Sequence, residues 1–309
     1  MVGANVNGQP WRDDQGNLIQ AHGGSILPYA GDYYWYGEDK GVANVEGTSR
    51  VPFVGISCYR STDLLTWQRI GDVLTAANDP SQQVQAESIV ERPKVLFNAL
   101  TKQFVMWCHF DTPDYGFAGC LVATATQPTG PFTVQQILRP NNFDSRDMTL
   151  FEENGQAYLV HSANMNKTLY VANLTPDYLG LTGEVRKLFI DQEREAPVIF
   201  HEGEWYFTIT SGTTGWRPNP ALFSRSHFLV ANQKLIDNPC QGPKKATTYD
   251  GQPTFGFKYQ GQWYLLLDHW QREDLQHSGY SILPIEIHGR DLVVPWVDQP
   301  LQRNTAANG

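Results

Sequence analysis

No run of 18 apolar residues occurs anywhere in the 309-residue sequence, so no segment has the composition of a membrane-spanning helix. Basic charge is also short. The 23 Lys and Arg stand against 32 Asp and Glu, the net charge is −9, and no basic cluster offsets it. Nucleic acid is disfavoured as a partner on these grounds. Cysteine is scarce: Cys58, Cys108, Cys120 and Cys240 form no CxxC pair and no His-linked spacing. That argues against a zinc or redox motif and leaves one or two disulfides open, without pairing them. The opening stretch MVGANVNGQPWRDD has no charged-then-apolar leader. Amphipathic helical periodicity with caps is missing as well.

What is present is glycine (27), proline (19) and a 12% share of aromatics, clustered in short alternating runs. DYYWYGE, QFVMWCHF, QAYLVHS and EWYFTIT are each bounded by Gly, Asn or Asp and read as strands. The expectation is an all-β protein. Five times a polar residue opens a short apolar run, a turn follows, and an aromatic strand returns. The copies are AHGGSILPYAGDYYWYG from Ala21, ERPKVLFNALTKQFVMW from Glu91, SRDMTLFEENGQAYLV from Ser145, EAPVIFHEGEWYFTI from Glu195 and GQPTFGFKYQGQWYLLL from Gly251. The turn position holds Gly31, Gly155, Gly203 and Gly261, with Lys102 as the exception.

The aromatic strands start near Tyr34, Phe104, Tyr158, Tyr206 and Tyr264, a spacing that suits four-stranded propeller blades. The expected fold is a five-bladed β-propeller forming one catalytic domain over 1–309. Its blades fall at approximately 18–80, 87–140, 143–190, 193–240 and 248–300, with no appended carbohydrate-binding module. A β-sandwich of meander hairpins is the alternative. In a propeller the innermost strands line the channel, so the polar openers should converge at one rim. They are His22, Glu91 with Arg92, Arg146 with Asp147, Glu195, and Gln252. Converging carboxylates in a concave site suit acid–base chemistry.

These motifs resemble glycoside hydrolase family 43, and within it the exo-β-1,3-galactanase branch. The resemblance runs from QAHGGSI (20–26) to YSILPIE (280–286), through WYGEDK, ERPKV, VMWCH, SRDMTLF, EAP, TGWRPNP and TYDGQPTF. It implies an exo-acting, inverting glycoside hydrolase that releases galactose from the non-reducing end of β-1,3-galactan, the arabinogalactan main chain. A related α-L-arabinofuranosidase or β-galactosidase, or an inactive sugar-binding propeller, is the alternative. The resemblance also implies secretion and no required cofactor. By the same resemblance the strand ends at His109 and His269 could hold a structural calcium through water, against which stands the lack of an EF-hand-like loop.

By the same resemblance Glu195 is the general acid and Asp147 the carboxylate that raises and orients it. The first blade lacks the family's usual Asp base, and Gln252 stands in the fifth blade as the group that positions or activates the water. Its carbonyl oxygen would accept from the water, or an imidic tautomer would act as a true base; Glu91 is the rival base. Glu38, Glu91, Tyr115 and Trp216 match substrate-binding positions. The chemistry asks for a Glu195 that stays protonated near pH 6, which a charged neighbour and burial would favour. Read from the residues alone, Asp147 could pair with Arg146 and Arg92 with Glu91. Glu38 could be a rim charge at the end of an inner strand, Tyr115 and Trp216 plain packing, and His22 a core histidine.

Overall fold

The computed structural model describes residues 3–231 and 233–302; the ends of the expected 1–309 unit, and Asn232, lie outside the described residues. It contains five antiparallel sheets, each following the last along the chain. The first joins β1 (His22–Tyr29), β2 (Asp32–Glu38), β3 (Ile56–Ser61) and β4 (Gln68–Leu74). The second joins β5 (Ile89–Asn98), β6 (Gln103–Asp111), β7 (Gly119–Ala125) and β8 (Thr133–Leu138). The third holds β9 (Met148–Glu153), β10 (Gln156–Ala163), β11 (Thr168–Leu174) and β12 (Leu181–Leu188). The fourth has β13 (Arg194–Glu202), β14 (Trp205–Gly212) and β15 (Leu222–Ser226). The fifth has β16 (Gln252–Tyr259), β17 (Gln262–His269), β18 (Gly279–His288) and β19 (Asp291–Val293). This is a five-bladed β-propeller.

One blade departs from the expected four strands. After β15 the chain returns to the fourth sheet through a single bridge, Asp237 to Phe223. The stretch that follows, DNPCQGP, carries two prolines and a glycine, which cannot sustain a strand.

Turn chemistry explains the hairpins. Ala30–Gly31, Asn154–Gly155 and Gln260–Gly261 have positive φ at both residues, the mirror-image turn whose twist matches the strands it joins. The fourth hairpin puts Gly203, at φ 63°, first in its loop. Lys102 in the second blade also has positive φ, at 59°, but ends a longer turn. There the Asn98 side chain accepts the N–H groups of Leu100 and Thr101, and its carbonyl accepts that of Lys102. That scaffold replaces the missing glycine.

The core is divided into five apolar clusters, one between each pair of successive blades. Tyr36, Cys58, Met106 and Leu121 pack between blades one and two, and Trp107, Val122, Leu150 and Leu159 between two and three. Val171 and Ile199 lie between three and four, and Phe200, Phe223, Leu265 and Leu283 between four and five. Trp11, Trp35, Trp67, Tyr264 and Tyr280 fill the last gap, between five and one. All four cysteines are buried and unpaired. Among the described residues no helix is long and apolar enough to cross a membrane.

The N-terminal segment clasps the fifth blade. Gln9 bridges to Tyr280, and the Asn7 amide donates to the carbonyls of Ile282 and Val297 while its oxygen accepts the Ile282 N–H. Asn7→Ala removes these buried bonds and is expected to cost about 2–3 kcal/mol. In a domain of this size that lowers Tm by roughly 3–5 °C. Calorimetry of the two proteins checks this, and an unchanged Tm would mean that the clasp contributes nothing.

Candidate active site

The inner strands do not begin as regular ladders. In blades one, two, four and five the pairing with the neighbouring strand slips within the first few residues, between His22/Ser25, Glu91/Lys94, Glu195/Val198 and Pro253/Phe255. In three of these bulges the residue after the opener is left-handed: Gly23 at φ 60°, Arg92 at 55° and Ala196 at 48°. Such bulges re-aim a side chain beside a functional site. A left-handed non-glycine residue costs about 1–2 kcal/mol. Glycine is required in the first blade, because a Cβ on Gly23 would stand 2.2 Å from the Glu38 carboxylate.

The bulges and strand ends surround one cavity of about 320 Å³. All seven site residues expected from the sequence line it: Glu38, Glu91, Tyr115, Asp147, Glu195, Trp216 and Gln252. Glu38 reaches it from the end of the second strand β2, opposite His22, rather than from an inner strand. Tyr115 and Trp216 come from the loops after β6 and β14 and are 41% and 40% exposed, which presents ring surface rather than core packing. The Trp216 ring meets Trp270 edge-on at 5.7 Å.

Of the polar openers, His22 does not join the cavity. It is fully buried, with Nδ1 3.2 Å from Asp268 and Nε2 3.0 Å from the Tyr280 hydroxyl, and its ring stacks on Tyr280. The expected neighbour pairs also differ. Arg146 pairs with Asp144 at 2.6 Å, not with Asp147, because adjacent residues of an extended chain point to opposite sides. Arg92 turns away from Glu91 and crosses the cavity.

Arg92 is the group that sequence reasoning undervalued. Its Nε donates to Asp147 Oδ1 at 3.0 Å and its terminal nitrogen to Gln252 Oε1 at 2.6 Å. Its backbone N–H donates to Glu38 Oε1 at 3.0 Å. The other Glu38 oxygen pairs with Lys40 at 2.9 Å. Asp147 Oδ2 accepts the backbone N–H of Ala196, the residue after Glu195. Trp270 donates its indole N–H to Gln252 Oε1 at 3.0 Å, and the Gln252 amide nitrogen lies 3.4 Å from Glu195 Oε1. Neither Lys40 nor Trp270 carried a signal of its own in the sequence, since both lie in loops beyond strand ends.

Burial, and after it the charge of Asp147, pushes the Glu195 carboxyl up to about 8, against the pull of Arg92 and Arg194. Burial and the Glu38 charge raise Glu91 to about 7, with Lys40 opposing. Burial pushes His109 down to about 4, so it is neutral at pH 7. The cavity therefore holds a carboxylic acid that keeps its proton at neutral pH, next to a second carboxyl group bound by two donors. Among the described residues no group of three or more His, Cys, Asp or Glu side chains is placed to hold a metal ion.

The sequence profile of Glycosyl hydrolases family 43 matches residues 20–267. The chain belongs to this family. Family 43 membership makes it a glycoside hydrolase, and its propeller superposes on solved relatives. One is a family 43 β-1,3-galactosidase with galactodeoxynojirimycin: 33% identity, 95% of this chain and 99% of that one covered, TM-score 0.89. Another is an exo-β-1,3-galactanase from Clostridium thermocellum: 33% identity, 98% and 69% covered, TM-score 0.86. A third is an exo-β-1,3-galactanase from Phanerochaete chrysosporium with β-1,3-galactotriose: 31% identity, 94% and 66% covered, TM-score 0.86. The chain spans about two thirds of the length of these last two. No curated protein matches it.

The raised pKa of Glu195 is open to direct measurement. With ¹³C-labelled glutamate, the Glu195 carboxyl signal, identified by its loss in Glu195→Gln, is expected to titrate near 8. In Asp147→Asn the like charge is gone and the midpoint should fall by about one unit or more. A midpoint near 4 in the unaltered protein would contradict the burial argument.

Proposed function

We propose that this chain is an exo-acting, inverting β-1,3-galactanase that takes galactose from the non-reducing end of the polymer. The observation that carries the reading is Glu195, kept protonated beside Asp147 in a cavity that also offers Glu38, Glu91 and two exposed rings. The kinship to β-1,3-galactosidases and exo-β-1,3-galactanases supports the substrate.

Each residue has a task in this reaction. Glu195 gives its proton to the glycosidic oxygen as the bond to the anomeric carbon breaks, which an unperturbed Glu could not do near neutrality. Asp147 keeps that proton in place by its charge, and its hold on the Ala196 N–H fixes the backbone from which Glu195 projects. Among the described residues Glu91 makes no hydrogen bond to another side chain, and its carboxyl group can accept from a sugar hydroxyl or from the attacking water. Glu38, engaged at both oxygens by Arg92 and Lys40, is a rigid acceptor. Tyr115 and Trp216 supply faces on which a pyranose stacks.

Exo action is supported by the size of the cavity, about 320 Å³. That is near the lower end of small-ligand pockets and suits the end of a chain better than its middle. In this reading the acid and the polar contacts come from side chains, and kinship to family 43 supports a reaction that needs no cofactor.

Incubation with linear β-1,3-galactobiose and galactotriose tests the reading. Galactose is expected from the unaltered enzyme, first seen by ¹H NMR as the α-anomer, because inversion of a β-linkage gives it. Glu195→Gln should lower kcat by about 10²–10⁴-fold. No release from either substrate, with activity on an arabinoside instead, would replace the galactanase reading by a sister specificity.

A further inference from the structure

Gln252 stands where a glycosidase needs a group to manage its water, and its environment restricts what it can do there. A glutamine side chain has one acceptor end and one donor end, and the orientation of the two follows from its partners. Here the partners leave no choice. Arg92 and Trp270 can only donate, and both reach the same Gln252 atom, at 2.6 and 3.0 Å. That atom is therefore the carbonyl oxygen, and its two lone pairs are used. The nitrogen faces Glu195 Oε1 and the cavity.

Neither role read from the sequence fits this arrangement. The carbonyl oxygen has no acceptor capacity left for a water. An imidic tautomer would place a proton on that oxygen, and the proton would have to displace one of the two donors. Arg92 cannot yield by giving up its own proton: a guanidinium keeps it, and the charge of Asp147 holds it more firmly still.

We propose that Arg92 and Trp270 are positioning residues that lock Gln252 in its amide form, so that Gln252 enters the reaction as an N–H donor and does not take the proton of the attacking water. One N–H points to Glu195 Oε1, which leaves Oε2 to carry the acidic proton. The other is available to the oxygen of the water or to a sugar hydroxyl. The same Arg92 fork holds Asp147, so the modulator of the acid and the orienter of the amide are set by one rigid plane.

The catalytic part of this inference rests on the glycosidase reading; the state of the amide does not, and the experiment separates them. The first measurement uses the protein without substrate, labelled with side-chain ¹⁵N-glutamine. The Gln252 signal, assigned by its loss in Gln252→Glu, is expected as one nitrogen bearing two inequivalent protons. A Gln252 nitrogen with a single proton overturns the proposal.

The second measurement is turnover on β-1,3-galactobiose. If Gln252 were the base, Gln252→Glu would supply a stronger one and keep or raise kcat. The proposal expects kcat to fall about 100-fold, since the donor is lost and a new charge sits beside Glu195. Trp270→Phe, which removes one bond to the oxygen, is expected to lower kcat about tenfold with KM nearly unchanged and the same Tm. An unchanged or faster Trp270→Phe enzyme would overturn the positioning role. Arg92→Lys keeps the charge but not the fork, and it should not restore the unaltered rate. If galactosides are not cleaved at all, the galactanase reading fails while the ¹⁵N spectrum still decides the state of Gln252.

Discussion

The catalytic rim depends on one buried cation. Glu38, Glu91, Asp147 and Glu195 all face a single cavity, and four carboxyl groups so placed would repel one another strongly. Arg92 enters among them with 6% of its surface exposed, joined by Lys40. Its three bonds run to residues of the first, third and fifth blades, so it sets their mutual geometry as well as their charge. Burying such a charge is expensive unless it is paired and hydrogen-bonded, and removing one partner leaves the others uncompensated. The arrangement is all or nothing.

From this constraint the division of labour follows. Two carboxyl groups stand side by side, yet one receives charge-assisted bonds and the other almost none. Asp147 accepts from the Arg92 guanidinium and from a backbone N–H, whereas Glu195 has a single long contact to an amide. Unequal surroundings of this kind are how one site keeps an acid and an anion together at the same pH. The strain of left-handed backbone at Arg92 and Ala196 belongs to the same design, since both residues are bent to serve that pair.

Much of the architecture was legible in the chain because each inner strand announces itself three ways: a polar opener, an apolar run and a turn residue able to take positive φ. Where one signal was missing, at Lys102, the other two sufficed. Glu91, Asp147 and Glu195 were legible for the same reason, being openers or beside one, whereas Glu38, at the end of β2, was legible only through the family resemblance. Arg92 was not, because sequence adjacency suggested a partner in Glu91, and only a bulge that no periodicity reveals turns it across the channel. Lys40 and Trp270 follow strand ends, where pattern stops carrying information. The fourth blade was expected to be regular because its repeat begins regularly; its prolines come later, in the returning segment.

The slipped register at the head of four inner strands has a further consequence. A bulge absorbs its extra residue locally, so the strand beyond it packs into the blade in the same way whatever side chain the opener bears. The rim is then a set of sockets separated from the load-carrying wall. The rim opener of the fifth blade is an amide, Gln252, where those of the second and fourth are acids, and the strands behind all three carry the same kind of interblade packing. A protein built this way can alter its chemistry as a linked set of sockets, joined through Arg92, while the ring that carries them stays as it is.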